Sequence, residues 1–124
     1  MGFVRDGLRW VGRLFRARKA NFYRVAESGK PRFQLRHGEE GLSVFDARRV
    51  KPEDILPSFR PGSLVFALDV AWIESFGLRV VKTPGDPRLP KLLQDNHAII
   101  CPPPEMTRKE FKQTLKGMEA ARRG

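Results

Sequence analysis

Two side chains with the capacity for chemistry stand beside short apolar runs of the sequence. Ser43 lies between Leu42 and Val44 in a strand-like segment of alternating character, where a small hydroxyl can line a ligand cleft. His97 directly precedes the apolar run 98–100, at the expected mouth of a strand, where an imidazole can exchange protons near neutral pH. Both residues are therefore candidates for hydroxyl or acid–base chemistry.

Three further side chains can assist at such a site. Arg24, on a strand that opens the globular part, carries a guanidinium fork suited to phosphate or ribose oxygens. Phe45 shares a strand face with Ser43 and can supply an aromatic wall. Gln94 can orient a carboxamide or ribose group. The alternatives stay open: a surface arginine, a strand serine, a core phenylalanine, or a histidine that ties a loop to the core.

Standard motifs of nucleotide-binding and hydrolytic enzymes are absent from the chain. It has no phosphate-binding glycine loop of either common kind, no G-x-S-x-G elbow, no H-E-x-x-H and no spaced pair of carboxylates. The single cysteine, Cys101, cannot close an intramolecular disulfide, and with only His37 and His97 beside it no metal-ligand cluster is predicted. These observations exclude a disulfide scaffold and a structural zinc site.

Four short segments follow one another in a recognisable order. They are Phe22-Tyr23-Arg24-Val25, then Gly41-Leu42-Ser43-Val44-Phe45-Asp46, then Leu93-Gln94-x-x-His97 running into Ala98-Ile99-Ile100, and last Pro102-x-x-x-Met106. Together they resemble the type VI secretion effector toxins with an ADP-ribosyltransferase-like fold. Proteins of that family act in the cytoplasm and are neutralised by a cognate immunity protein. The resemblance spans roughly residues 21–120.

The resemblance implies a split, two-sheet α+β core whose cleft holds NAD as a substrate. Arg24, Ser43 and Phe45 would bind the dinucleotide, and Ser43, Gln94 and His97 would take part in catalysis. The implied activity is cytotoxic: transfer of ADP-ribose to a cellular macromolecule, or cleavage of NAD. The implied partner is an immunity protein, expected to be acidic because the chain is basic.

The sequence departs from the wider ADP-ribosyltransferase pattern at one position. Those enzymes generally carry a glutamate at the start of a late strand, whereas this chain has the Gln-x-x-His pattern of the toxins that it resembles. Asp95 is the candidate substitute carboxylate. Glu39 and Glu40, beside the Ser43 strand, are weaker candidates because charged loop residues are usually solvated.

Short β-prone runs separated by turn residues dominate the middle of the chain. They cover residues 22–25, 33–35, 42–45, 64–67, 78–81 and 97–100. The segment 68–76, stopped by Gly77, indicates a short helix, and residues 94–96 are expected in a loop. This order predicts an α+β domain, since strands and helices do not alternate.

The closing segment carries the clearest helical pattern. Thr107 and Glu110 have the spacing of a capping box, and an apolar stripe follows at i, i+4 and i+7 spacing, formed by Phe111, Leu115 and Met118. At the other end of the chain, apolar and arginine positions alternate with helical spacing. We therefore predict a basic amphipathic helix over 1–20 and a toxin-like domain over 21–124.

The 124-residue chain is a soluble globular mixture, with 40% hydrophobic and 31% charged residues. Arginines interrupt every apolar run near the start, which argues against a secretory signal, and no run approaches the roughly 20 apolar residues of a membrane span. A cytoplasmic protein is expected.

The formal net charge of +10 is concentrated at the two ends of the chain. Residues 1–20 hold six basic groups and one acidic group, and residues 105–124 hold six basic and three acidic groups. The net charge is therefore a property of the two terminal segments, which suits contact with an acidic partner, rather than a property of the cleft. Three rivals remain: a small basic ribonuclease toxin of a toxin–antitoxin pair, a non-enzymatic nucleic-acid-binding or partner-binding module, and a catalytically inert relative that kept only the fold.

Overall fold

A computed structural model describes residues 20–123, so the helix predicted over 1–20 lies outside the described residues except for Ala20. Within them the chain forms, in order, β1 (Phe22–Glu27), β2 (Leu42–Asp46), α1 (Pro52–Ile55), a 3₁₀ turn (Leu56–Ser58), β3 (Ser63–Leu68), α2 (Val70–Glu74), β4 (Arg79–Lys82), α3 (Lys91–Asp95), β5 (His97–Cys101) and α4 (Arg108–Arg123). The predicted α+β class is confirmed.

The strands form one antiparallel sheet in the order β3-β1-β2-β5-β4. The expectation of two separate sheets was wrong for the described residues, because β2 pairs with β1 on one edge and with β5 on the other. The sheet is nevertheless split at one junction. Six residue pairs join β1 to β3 and four join β2 to β5, but only Phe22–Asp46 and Tyr23–Phe45 join β1 to β2.

Alternation along β2 divides the core between the two faces of the sheet. Leu42 and Val44 are fully buried in the cluster that contains the apolar stripe of α4. Phe45 points to the opposite face and packs in a second cluster with Val50 and Ile55. A single strand thus contributes to both cores, as its period of two requires.

Helix α4 begins at the predicted capping box and buries the predicted stripe. The backbone N–H of Thr107 donates to Glu110 Oε1 over 2.8 Å, and the N–H of Glu110 donates to Thr107 Oγ1 over 3.1 Å. Phe111, Leu115 and Met118 are each at most 1% exposed. Both predictions are confirmed, because the spacing of caps and apolar residues is a local property of a helix.

The run 33–35 was predicted as a strand and is irregular instead. Phe33 and Leu35 are buried as expected of apolar residues, but the backbone N–H groups of Arg32 and Phe33 both donate to Glu119 Oε1, over 2.7 and 3.0 Å. Both N–H groups already donate to the Glu119 side chain of α4. They are therefore lost to any ladder with a neighbouring strand.

The short helices differ in extent from the sequence expectation. Leu68 completes β3 by pairing with Phe22, so α2 starts later, where Asp69 Oδ1 accepts the N–H of Ala71 over 2.9 Å. Gln94, expected in a loop, instead lies in α3. No helix of the described residues has the length and apolar character needed to cross a bilayer.

Candidate active site

A cleft of about 580 Å³ opens where β1 and β2 separate. It is lined from the four strands β1, β2, β3 and β5, and four of the five side chains singled out in the sequence contribute to it: Arg24, Ser43, Phe45 and His97. The fifth, Gln94, does not line it. The fold therefore brings together residues that stand up to 73 positions apart in the chain.

Ser43 and His97 form the polar centre of the cleft. His97 Nε2 lies 2.9 Å from Ser43 Oγ, and on the other side of the ring Nδ1 lies 3.0 Å from Thr83 Oγ1 and 3.2 Å from the Thr83 carbonyl oxygen. Burial lowers the pKa of His97, against the opposing effect of hydrogen bonds to the backbone of Thr83 and Pro84. The imidazole is therefore neutral, and able to accept a proton, at physiological pH.

The register between β2 and β5 places these groups side by side. Phe45 pairs directly with His97, and Ser43 stands two residues earlier on the same strand face. Ser43 is thus a diagonal neighbour of His97, within reach of its ring. The ring centroids of Phe45 and His97 are 5.6 Å apart in an edge-to-face arrangement.

Arg24 bridges the gap at the split. Its Nε donates to the Arg32 carbonyl over 2.8 Å and its Nη1 donates to the Ser43 carbonyl over 2.9 Å, where the backbone ladder between β1 and β2 has ended. Burial of the guanidinium lowers the pKa of Arg24 to about 10. The negative charge of Glu39 opposes this shift, and the positive charge of Arg36 adds to it. Arg24 consequently stays protonated at neutral pH and holds a positive charge beside Ser43.

Aromatic residues form the floor of the cleft. Phe45 is only 2% exposed, so it supports the cleft from below and offers little free ring surface. Phe59, which sequence reasoning missed, is half-buried and lies with its ring centroid 6.3 Å from that of Phe45. The more accessible ring in the cleft is therefore that of Phe59.

Gln94 supports the cleft wall from behind. Its Nε2 donates to the carbonyl oxygens of Pro87 and Leu89, over 3.2 and 2.6 Å. Leu89 and its neighbours Asp86 and Arg88 line the cleft. Gln94 thus acts on the site by holding this loop in place rather than by lining the cavity.

The positions of the candidate carboxylates differ from the sequence expectation, because Glu39 lines the cleft and Asp95 does not. Asp95 is exposed, pairs with Lys91 over 3.1 Å and does not line the cleft, so the idea that it substitutes for a catalytic glutamate was wrong for this arrangement. Glu39 lines the cleft, whereas Glu40 and His37 do not. Glu39 Oε1 accepts the backbone N–H of Arg36 over 2.8 Å, which fixes its carboxylate at the end of the loop.

Three arginines that the sequence pattern did not single out surround the cleft. Arg60 pairs with Glu27 over 3.5 Å, and Arg88 pairs with Asp86 over 2.7 Å. Hydrogen bonds from Arg88 lower the pKa of Asp86 to about 2. The third, Arg36, forms no ion pair within residues 20–123. All three arginines lie in loops, and loops have no sequence periodicity from which their common location could be predicted.

Among residues 20–123, no three His, Cys, Asp or Glu side chains are grouped so as to hold a metal ion. Comparison of the chain with protein-family models, curated proteins and solved structures gives no match.

Proposed function

We propose that this protein is a cytotoxic effector that binds NAD in the cleft and, acting in the cytoplasm, transfers ADP-ribose to a cellular macromolecule or cleaves NAD. The observation that carries the proposal is the convergence of Arg24, Ser43, Phe45 and His97 on one cavity. These four residues also lie in the segments whose sequence resembles that of NAD-dependent toxins. Their convergence is what an NAD site would require.

The size and charge of the cleft suit a dinucleotide. A volume of about 580 Å³ falls within the usual range of ligand pockets. Guanidinium groups of Arg36, Arg60 and Arg88 stand around it, and such groups bind the oxygens of a pyrophosphate in a bidentate manner. The ring of Phe59 offers an apolar surface for a nicotinamide or adenine ring.

Each polar residue has a role in the proposed reaction. Arg24 fixes the Ser43 strand across the split through a backbone carbonyl and keeps a positive charge in the wall. Glu39 is the carboxylate placed to stabilise positive charge that develops on the nicotinamide ribose. His97, neutral and hydrogen-bonded, is the acid–base group.

Expression in bacteria without an immunity protein tests this proposal. We expect growth arrest by the wild-type chain and relief of arrest by Arg24→Ala, Ser43→Ala and His97→Ala. The purified wild-type protein should bind NAD in a calorimetric titration, and Arg36→Ala should weaken binding by about 10-fold. Arg79→Ala, which removes an exposed arginine outside the cleft, is the matched control.

Full toxicity of all three folded cleft variants would overturn the proposal, as would the absence of NAD binding. The arginines around His97 also favour a second candidate, the ribonuclease toxin, because guanidinium groups and a histidine can bind and cleave RNA. Cleavage of RNA in the absence of NAD, lost in His97→Ala, would establish that alternative.

An acidic immunity protein is the partner that this proposal calls for. Helix α4 presents Lys109, Lys112 and Lys116 as exposed residues, opposite its buried stripe. A basic surface of this kind accelerates association with an acidic protein. Co-expression with the cognate immunity protein should restore growth in the toxicity assay.

A further inference from the structure

The hydrogen bonds of His97 determine which ring nitrogen carries the proton. The Thr83 carbonyl oxygen, 3.2 Å from Nδ1, can only accept a hydrogen bond. A proton on Nδ1 satisfies that contact and can also be shared with Thr83 Oγ1, which lies 3.0 Å away and then accepts, whereas a lone pair on Nδ1 would face the lone pairs of the carbonyl oxygen. The Nδ1–H tautomer leaves Nε2 as an acceptor, so the Ser43 hydroxyl donates to Nε2 over 2.9 Å.

This arrangement has the three parts of an activated nucleophile. A hydroxyl points at the free lone pair of an imidazole, and a third group, here the carbonyl of Thr83, orients the imidazole from behind. His97 is only 7% exposed, and its ring is held between Phe45 and the Thr83 backbone. It is therefore fixed in the orientation that accepts the Ser43 proton.

Ser43 is more accessible than His97, as is required of a nucleophile and its general base. Both residues line the cleft, but Ser43 is half-buried, so its oxygen can reach a bound molecule, whereas His97 is only 7% exposed. The Arg24 guanidinium, bound to the Ser43 carbonyl, keeps a positive charge close to the hydroxyl. Such a charge favours the partly anionic oxygen of a nucleophilic attack.

We infer that Ser43 is a nucleophile activated by His97, and that in the proposed reaction it attacks the anomeric carbon of the nicotinamide ribose. The inference about the substrate rests on the proposed function; the inference about the hydroxyl does not. In the attack a bond forms between Ser43 Oγ and the anomeric carbon, and the glycosidic bond to nicotinamide breaks. The bonding electrons leave with nicotinamide, which becomes neutral, and the Ser43 proton passes to His97 Nε2.

Release of the bound group reverses the proton path. His97 first returns to its neutral form by losing the proton to solvent. Water, or a hydroxyl of the target, then attacks the same carbon and gives its proton to His97 Nε2, and His97 passes that same proton to the departing Ser43 Oγ. No oxidant, reductant or metal is needed, and the net products are nicotinamide, transferred or free ADP-ribose, and one proton.

A serine-directed reagent tests the nucleophile without NAD. Phenylmethylsulfonyl fluoride should modify Ser43, with the labelled position identified by peptide mass spectrometry. Ser58 and Ser63 line the same cleft and have no histidine partner among the described residues, so they are internal controls. We expect Ser43 to react at least about 100-fold faster than either of them, the range that general-base assistance provides.

Variants assign the effect to the dyad. His97→Gln should slow labelling of Ser43 by about 100-fold, and Ser43→Ala should remove the fast labelling and leave only the slow labelling of Ser58 and Ser63. Ser58→Ala should keep the wild-type rate. If His97→Gln fails to fold, the comparison of Ser43 with Ser58 and Ser63 in the wild-type chain still decides the question. Equal reactivity of the three serines would overturn the inference.

Incubation with NAD provides the second measurement. A mass increase of one ADP-ribose group on Ser43, trapped by rapid acid quench, would support the complete inference. Consumption of NAD without enhanced sulfonylation of Ser43 would overturn the nucleophile and leave the proposed function standing. Enhanced sulfonylation without NAD binding would support the nucleophile and overturn the proposed substrate.

Discussion

The two faces of the sheet differ in the side chains that they bury, and strand β2 contributes residues to both faces. On the α4 face, Leu42 and Val44 are fully buried among apolar side chains. On the cleft face, Ser43 and its neighbour Phe45 meet a buried histidine and a ring of arginines. The α4 face holds the larger apolar cluster, whereas the cleft face combines a smaller apolar cluster with polar groups held in place.

The largest expected effect distinguishes the faces by stability. Phe111→Ala should lower the free energy of unfolding by about 3–5 kcal/mol, because it removes a fully buried ring from the α4 face. Ser43→Ala on the cleft face should change it by less than about 1.5 kcal/mol. Urea denaturation followed by circular dichroism measures both, and equal losses would contradict the division between the faces.

A smaller effect is expected where α4 clamps the loop beside the cleft. Glu119 accepts two backbone N–H groups and pairs with Arg32 over 3.2 Å, while the Arg32 guanidinium lies 4.6 Å from the centroid of Phe66. Glu119→Ala should cost about 2–3 kcal/mol, since two part-buried backbone donors lose their acceptor. The matched control is Glu105→Ala, an exposed residue expected to change stability by less than about 0.5 kcal/mol.

Two glycines should respond to alanine in opposite directions. A Cβ at Gly85 would stand 2.9 Å from the Cα of Gln94 and 3.2 Å from the Cβ of His97, so Gly85→Ala should destabilise the fold by about 1–3 kcal/mol and disturb the cleft. Gly117 lies in α4 with open space around it, and Gly117→Ala should stabilise by about 0.5–1 kcal/mol. Thermal denaturation compares them; the same sign for both would show that the packing at Gly85 is slack.

The smallest effect is a pH dependence confined to the cleft face. Burial lowers the pKa of His97 below its ordinary 6.5, so the unfolded chain binds more protons than the folded chain between the two values. The free energy of unfolding should therefore fall as the pH drops below about 6.5. His97→Gln should flatten this dependence, and the exposed His37→Gln should retain it, in urea denaturation from about pH 5 to about pH 8.

Local patterns predicted those parts of the fold that local forces determine. The capping box at Thr107 and the stripe of α4 act within one helix, so they could be recognised without knowledge of the rest. The segment at Phe33 could not, because the group that takes its backbone donors, Glu119, stands 86 residues away. Composition favoured a strand there, and a long-range hydrogen bond overrode it.

The sequence named four of the residues that line the cleft, but not their arrangement in it. Alternation placed Ser43 and Phe45 on one face, but only the register with β5 brings His97 to them. The arginines of the loops and the carboxylate of Glu39 reach the cleft through chain reversals that carry no periodic signal. Gln94 lies near the cleft as predicted, but its amide donates to carbonyls of the adjoining loop and does not line the cavity.

The junction of β1 and β2 rests on two residue pairs, with the Arg24 guanidinium spanning the gap beyond them. The width of the opening is therefore set by a side chain rather than by the backbone ladder. A change at this one position can resize the opening while the pairings of β1 with β3 and of β2 with β5 stay as they are. In evolution, such a sheet can acquire new ligand preferences without redesigning its scaffold.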